Sequence, residues 1–156
     1  MAEVDLLVLN AEEVRRRSLI VWNGIPQDAL AWRPDPPAMS CGEMVRHVLE
    51  GEYLYMLMIR NRASVAQDNS PFAGRPFTSV ADEVAFARPY RNQFLSLISS
   101  IEPNDLTSIT IDRSDAGYQR QLGDFVLRVA YHESVHCGQM LGYLRMMNVN
   151  RPLIWD

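Results

Sequence analysis

Lysine is missing from this sequence of 156 residues: all fifteen of its basic side chains are arginines. The chain therefore offers neither the phosphate-gripping lysine of a P-loop nor the amine of a Schiff-base enzyme, and two large catalytic classes drop out. Cysteine is almost as scarce. Cys41 and Cys137 cannot build a disulfide framework, nothing points to an oxidising compartment, and both read as small buried free thiols. Long apolar runs are absent too, with none near the ~20 residues that cross a bilayer. The opening "MAEVDLLVLNAEEVRRR" lacks the basic-then-apolar order of a signal peptide, so a soluble cytoplasmic protein without a membrane partner is expected. The net charge is -4 and the arginines are scattered, which leaves no electrostatic footprint for nucleic acid.

What is present suits one globular domain spanning residues 1–156, since 47% of the residues are hydrophobic and can bury a sizeable core. Val4, Leu7, Val8, Ala11, Val14, Val21, Trp22 and Ile25 fall on one stripe at helical spacing, which predicts a first helix running to about Pro26. "PQDALAWRPDPPAM" is too rich in proline to continue it. Ser40 followed by Glu43 has the spacing of a capping box and opens a second helix over roughly 40–62. Ser79 with Asp82 opens a third, whose Val80, Val84, Ala87, Phe94, Ile98 and Ile101 face inward and which Pro89 is expected to kink near its first third. After "TSITID", which can pair briefly as a strand, a last helix runs from about Leu122 to Met147.

Four long helices in one small domain predict an all-α four-helix bundle, whose interior is where metal sites are usually built. The loop between the second and third helices is informative. Some 15 residues reach up to ~50 Å when extended, whereas a helix of about 22 residues is only ~33 Å long, so the loop can cross the whole bundle and let those two helices run parallel.

Inside the last helix, His132-Glu133-Ser134-Val135-His136 spells H-E-x-x-H, a zinc-peptidase pattern of two imidazoles on one face with a glutamate base beside them. A peptidase needs a third ligand downstream. The extended motif would require Gly at 139 and His at 142, where this chain has Gln139 and Gly142, and beyond His136 the only carboxylate side chain is Asp156. The remaining histidine of the three in the chain is His47, ~10 Å along the second helix from its cap. His132 and His136, ~40° apart around their helix, can match that depth, so all three can meet in the bundle core around one ion. Three histidines with an open position resemble a catalytic zinc shell more than a closed structural one.

Glu133 lies ~100° from His132 and ~60° from His136 around the helix; it either reaches metal-bound water as a base or turns to a neighbouring helix or solvent. Glu43 and Glu50 flank His47 at i-4 and i+3 and are candidates for further ligands or for orienting its ring, with Glu43 better spent on the cap. Gln139, one turn after His136, is a polar neighbour on the same face, and Tyr143 continues that face. Cys41 would sit in a first helical turn that favours a thiolate, yet it falls ~240° from His47, and Cys137 ~100° from His136, so neither points at the ion. The eight methionines read as core or interface filler, and imidazoles and carboxylates suit zinc or nickel better than a soft metal.

"LAWRPDPPAMSCGEMVRHV", followed far downstream by "YHESVHCGQMLGYLRMMNVNRP", resembles the DinB-like (damage-inducible) superfamily: a tryptophan and proline ahead of the second helix, a histidine two turns into it, and H-x-x-x-H-x-G-Q on the last. Cys137 stands where that family often has arginine. The resemblance implies an up-down-down-up bundle, frequent homodimers, and one divalent ion, often zinc or nickel, on His47, His132 and His136. It also implies, for some members, S-transfer from low-molecular-weight thiols. The expected function is therefore a metal-binding bundle acting on a small-molecule substrate, with thiol S-transfer first. The alternatives are a non-catalytic metal- or ligand-binding bundle and a metal-dependent hydrolase using Glu133 as base.

Overall fold

A computed structural model describes residues 2–155; Asp156 lies outside them. Five helices and one small hairpin follow in order: α1 (Glu3–Asn23), α2 (Cys41–Asn61), α3 (Val80–Ser99), the single turn α4 (Asp105–Ser108), β1 (Thr110–Arg113), β2 (Tyr118–Gln121) and α5 (Leu122–Met146). The caps fall where their chemistry predicts. The Ser40 hydroxyl accepts from Glu43 N at 3.2 Å while the Glu43 carboxylate accepts from Ser40 N at 2.7 Å, and the Ser79 hydroxyl accepts from Asp82 N at 3.0 Å. Helix α3 runs through Pro89 without interruption. Asn148, at φ 57°, turns the chain into the left-handed conformation just beyond α5, a position asparagine tolerates well. Only the end of "TSITID" is strand: Thr107 and Ser108 belong to α4, and β1 pairs antiparallel with β2.

Side-chain pairings set the directions of the helices. Arg46 meets Glu83 and Glu52 meets Arg91, so α2 and α3 run parallel. Gly51 faces His132 and Tyr55 faces Phe125, so α5 is antiparallel to α2. Arg91 Nη2 donates to Ala11 O at 2.7 Å, tying α3 to α1, and Arg15 of α1 meets Glu133 of α5. Up-down-down-up topology follows, with residues 62–79 as the long crossover. That crossover is pinned by Phe72, which is fully buried, and by Arg46, whose guanidinium donates to Arg75 O at 2.6 Å.

The interior is layered. One apolar cluster gathers Trp22, Met44, Phe72 and Met140; a second gathers Met56, Phe94, Ile98 and Phe125. Between them each long helix contributes one charged residue. Arg15 donates to the Glu133 carboxylate through Nε at 2.7 Å and Nη2 at 3.0 Å and to Glu52 at 3.3 Å, and Arg91 donates to the other side of Glu52. Two cations and two anions cancel, so burial leaves no net charge to desolvate alone. Burial lowers the affinity of Arg15 for its proton, but Glu133 and Glu52 more than offset this and hold it firmly charged.

Candidate metal centre

The first turn of α2 is covered by the proline-rich segment ahead of it: Cys41 N donates to Trp32 O and Gly42 N to Leu30 O, at 3.0 and 2.9 Å. These bonds satisfy amides that a helix start leaves open. A side chain at Gly42 would meet Phe77 Cδ1 at 3.2 Å and Leu30 O at 3.3 Å, so glycine permits the close approach. Trp32 packs edge-on against Tyr143 of α5, whose hydroxyl donates to Met39 O at 3.0 Å. The same contacts bury Cys41 completely, and burial pushes its thiol up to about 11; Cys137, buried likewise, is also raised. Neither is a thiolate at neutral pH, in line with two structural thiols.

Two turns into α2, His47 comes opposite His132 and His136. The Nε2 atoms of His132 and His47 lie 3.0 Å apart, those of His136 and His132 3.1 Å, and one ring nitrogen from each histidine falls within 4.8 Å of the others. His136 donates through Nδ1–H to Gln139 Oε1 at 2.7 Å, which leaves its Nε2 lone pair facing the cluster. His132 Nε2 can carry one proton at most, so it can satisfy only one of its two histidine neighbours. At least one of the two close nitrogen–nitrogen contacts is therefore left without a hydrogen bond, a mismatch that a shared cation would relieve. Imidazoles bound at 2.0–2.1 Å in a tetrahedral shell place their nitrogens ~3.3 Å apart, close to the separations found. The residues fit a divalent ion.

Burial lowers the proton affinity of His132 to about 4, helped by His136 and His47, and lowers that of His47, again through burial first and His136 second. Both rings are thus neutral at physiological pH, the form that ligates. Gly51 makes room for His132: a Cβ there would lie 3.1 Å from its Cε1. Tyr55 packs edge-on to the same ring, with centroids 5.7 Å apart.

The site lies at the α2–α5 seam rather than in the bundle core, a correction to the expected position. His47 is exposed and the other two histidines are half-buried, because the interior at this level is occupied by the Arg15–Glu133–Glu52–Arg91 layer. Glu133 takes the second of the two courses open to it. One residue from His132 it is turned ~100° away, onto Arg15, and its carboxylate is enclosed by that guanidinium instead of facing water beside the histidines. Glu43 is committed to its cap and to Arg33, which it meets at 3.0 Å. Glu50 stays near enough to act on His47 through its charge, and Gln139 orients His136 as its spacing suggested. Residues that sequence reasoning did not reach line a cavity of about 120 Å³ beside His47 and His132: Gly51, Leu54, Tyr55, Met58, Gln67 and Arg113. Gln67 comes from the crossover and Arg113 from the hairpin, so no helical spacing marked either.

Comparison with known proteins bears on the fold and the family. An uncharacterized Bacillus subtilis (strain 168) protein, YjoA, is 25% identical over 124 residues, covering 79% of this chain and 77% of its own length. The crystal structure of DinB-like YjoA from Bacillus subtilis matches with a TM-score of 0.72 at 20% identity, over 97% of this chain and 98% of that one. A DinB-like protein from Bacillus cereus ATCC 10987 matches at 0.69 and 17% identity, over 92% and 91%. At those identities the two solved structures speak to the fold alone. The family match spans residues 10–140, and by it this chain belongs to the DinB superfamily, a group associated with metal binding.

Proposed function

We propose that the protein is a metal-dependent enzyme that carries one zinc or nickel ion on His47, His132 and His136 and transfers a low-molecular-weight thiol to an electrophile. The observation that carries this reading is the convergence of three histidine nitrogens beside a solvent-facing cavity. When bound, the ion supplies the positive charge that lowers the pKa of a coordinating thiol. The chain's own share is positional. Gln139 holds the His136 ring, Gly51 and Tyr55 hold that of His132, and Leu54 and Met58 give the cavity an apolar wall. Hydrolysis with Glu133 as base is disfavoured because that carboxylate is taken up by Arg15.

Elemental analysis of the purified protein should find about one divalent ion per chain, lost in a His47→Ala, His132→Ala double variant. A panel of thiols and electrophiles should then give turnover with the parent only. Full occupancy in the double variant would remove the site. Metal without turnover on any pair would leave an inert binding bundle, and amide hydrolysis abolished by Glu133→Gln would put a hydrolase in its place.

A two-fold homodimer packed through helices is part of the same proposal. It is supported by Leu127, Tyr131 and Val135, which stand at i, i+4 and i+8 along α5 and are 49%, 71% and 41% exposed. Light scattering at tens of micromolar protein should return twice the monomer mass; a monomer there counts against it.

A further inference from the structure

Arg113 lines the same small cavity as His47 and His132, at the point where the hairpin meets the end of α2. Its placement is built. Asp112 N donates to Arg62 O at 2.9 Å, joining β1 to the residue that follows α2. The guanidinium donates through Nε to the Ser64 hydroxyl and through Nη1 to the Tyr118 hydroxyl, each at 3.0 Å, and lies 5.4 Å from the centre of the Tyr118 ring. No carboxylate pairs with it among the described residues. Asp115 reaches Ser64 instead, and Asp112 is turned to Ser114 N at 2.9 Å. Half-buried, held by two neutral oxygens and with no protein partner described for Nη2, this arginine keeps its outer edge available next to the histidine cluster. Arg128, 4.8 Å from the centre of the same ring, adds positive charge nearby. The planar guanidinium fork matches a carboxylate.

We infer that Arg113 selects small thiols that carry a carboxylate a few bonds from their sulfur, by binding that carboxylate while the sulfur occupies the open position beside His47 and His132. The inference rests on the thiol-transferase reading above and adds the chemical class of the thiol. The scale agrees: the cavity is small, about 120 Å³, and suits a small thiol acid that extends in part towards solvent. Leu54 and Met58 would flank its methylenes, and the Gln67 amide lies on the same wall.

The test titrates the full-length, cobalt-loaded protein with 3-mercaptopropionate and with its neutral isostere 3-mercaptopropionamide, reading the thiolate-to-metal absorption band to obtain Kd. A charge-assisted hydrogen bond to Arg113 predicts a preference of ~10-fold or more for the acid. In Arg113→Gln the preference should fall below ~2-fold, chiefly through weaker binding of the acid, and Arg113→Lys, which keeps charge without the fork, should fall between. Circular dichroism on both variants checks that the hairpin is retained, and the comparison of the two thiols on the parent needs no variant at all. Equal affinities in the parent, or a preference that survives in Arg113→Gln, overturn this inference and leave the thiol reading standing. Failure of both thiols to perturb the cobalt spectrum overturns this inference and the thiol reading together.

Discussion

Replacing Glu133 with glutamine separates the two jobs that the H-E-x-x-H pattern allows for this residue. Arg15 and Glu133 are only 7% and 3% exposed, and Arg15 spends two of its three carboxylate contacts on Glu133. A glutamine keeps the shape but removes the charge, and its amide nitrogen presents hydrogens to a guanidinium that has only hydrogens to offer. Arg15 is then left with Glu52 alone, at 3.3 Å, and Glu52 is already engaged by Arg91. Breaking a buried pair from one side costs ~3–5 kcal/mol. For a chain of 156 residues that corresponds to a fall in Tm of roughly 6–20 °C. The histidine cluster lies on another face of α5, so metal content should remain that of the parent. Thermal unfolding followed by circular dichroism, with elemental analysis of the same samples, makes the measurement. An Arg15→Met, Glu133→Leu double variant should recover much of the loss, because no lone charge stays buried. The reasoning is refuted if Glu133→Gln melts within ~2 °C of the parent while turnover drops by ~10²-fold or more, which is the signature of a general base.

Three further outcomes are expected. Gln139→Ala frees His136 Nδ1 and should weaken metal affinity by ~10- to 100-fold in a chelator competition, with little change in Tm of the metal-free protein. Gly51→Ala puts a methyl 3.1 Å from His132 Cε1; helix propensity improves, yet the ring must shift, so metal affinity should fall while the metal-free fold is kept. The metal-free protein should lose stability on acidification. The folded His132 pKa of about 4 lies below the ordinary value of 6.5, so the unfolded chain takes up protons first. Stability is therefore full above pH 6.5, declines between 6.5 and 4 and levels off below; denaturant midpoints measured across that range that stay flat would contradict the burial of this ring.

Helix positions, caps and the ligand pair were legible in the residues themselves. Ser40 with Glu43 and Ser79 with Asp82 mark starts because short polar side chains satisfy the open amides of a first turn. His132 and His136 share a face because four residues nearly complete a turn. The ionic layer also leaves a trace in the sequence, in charges that stand in phase with the apolar stripes. Arg15 falls in phase with Leu7, Ala11 and Trp22, Glu52 with Val48 and Met56, and Glu133 with Val129 and Cys137, so each charge stands at a core position of its helix. In-phase charges of both signs announce buried pairs. Periodicity, however, states which residues share one side of a helix and says nothing about which neighbour that side meets. His47 and His132 are 85 residues apart, and their contact depends on α2 and α5 being adjacent and antiparallel. The packing of α1 on α5 likewise decided that Glu133 meets Arg15, and the α2–α5 seam left the histidines open to solvent. The hairpin and the crossover have no helical period at all, so the positions of Arg113 and Gln67 beside the cluster were set by tertiary packing alone: Phe72 buried beneath the loop and β1 tied to the end of α2.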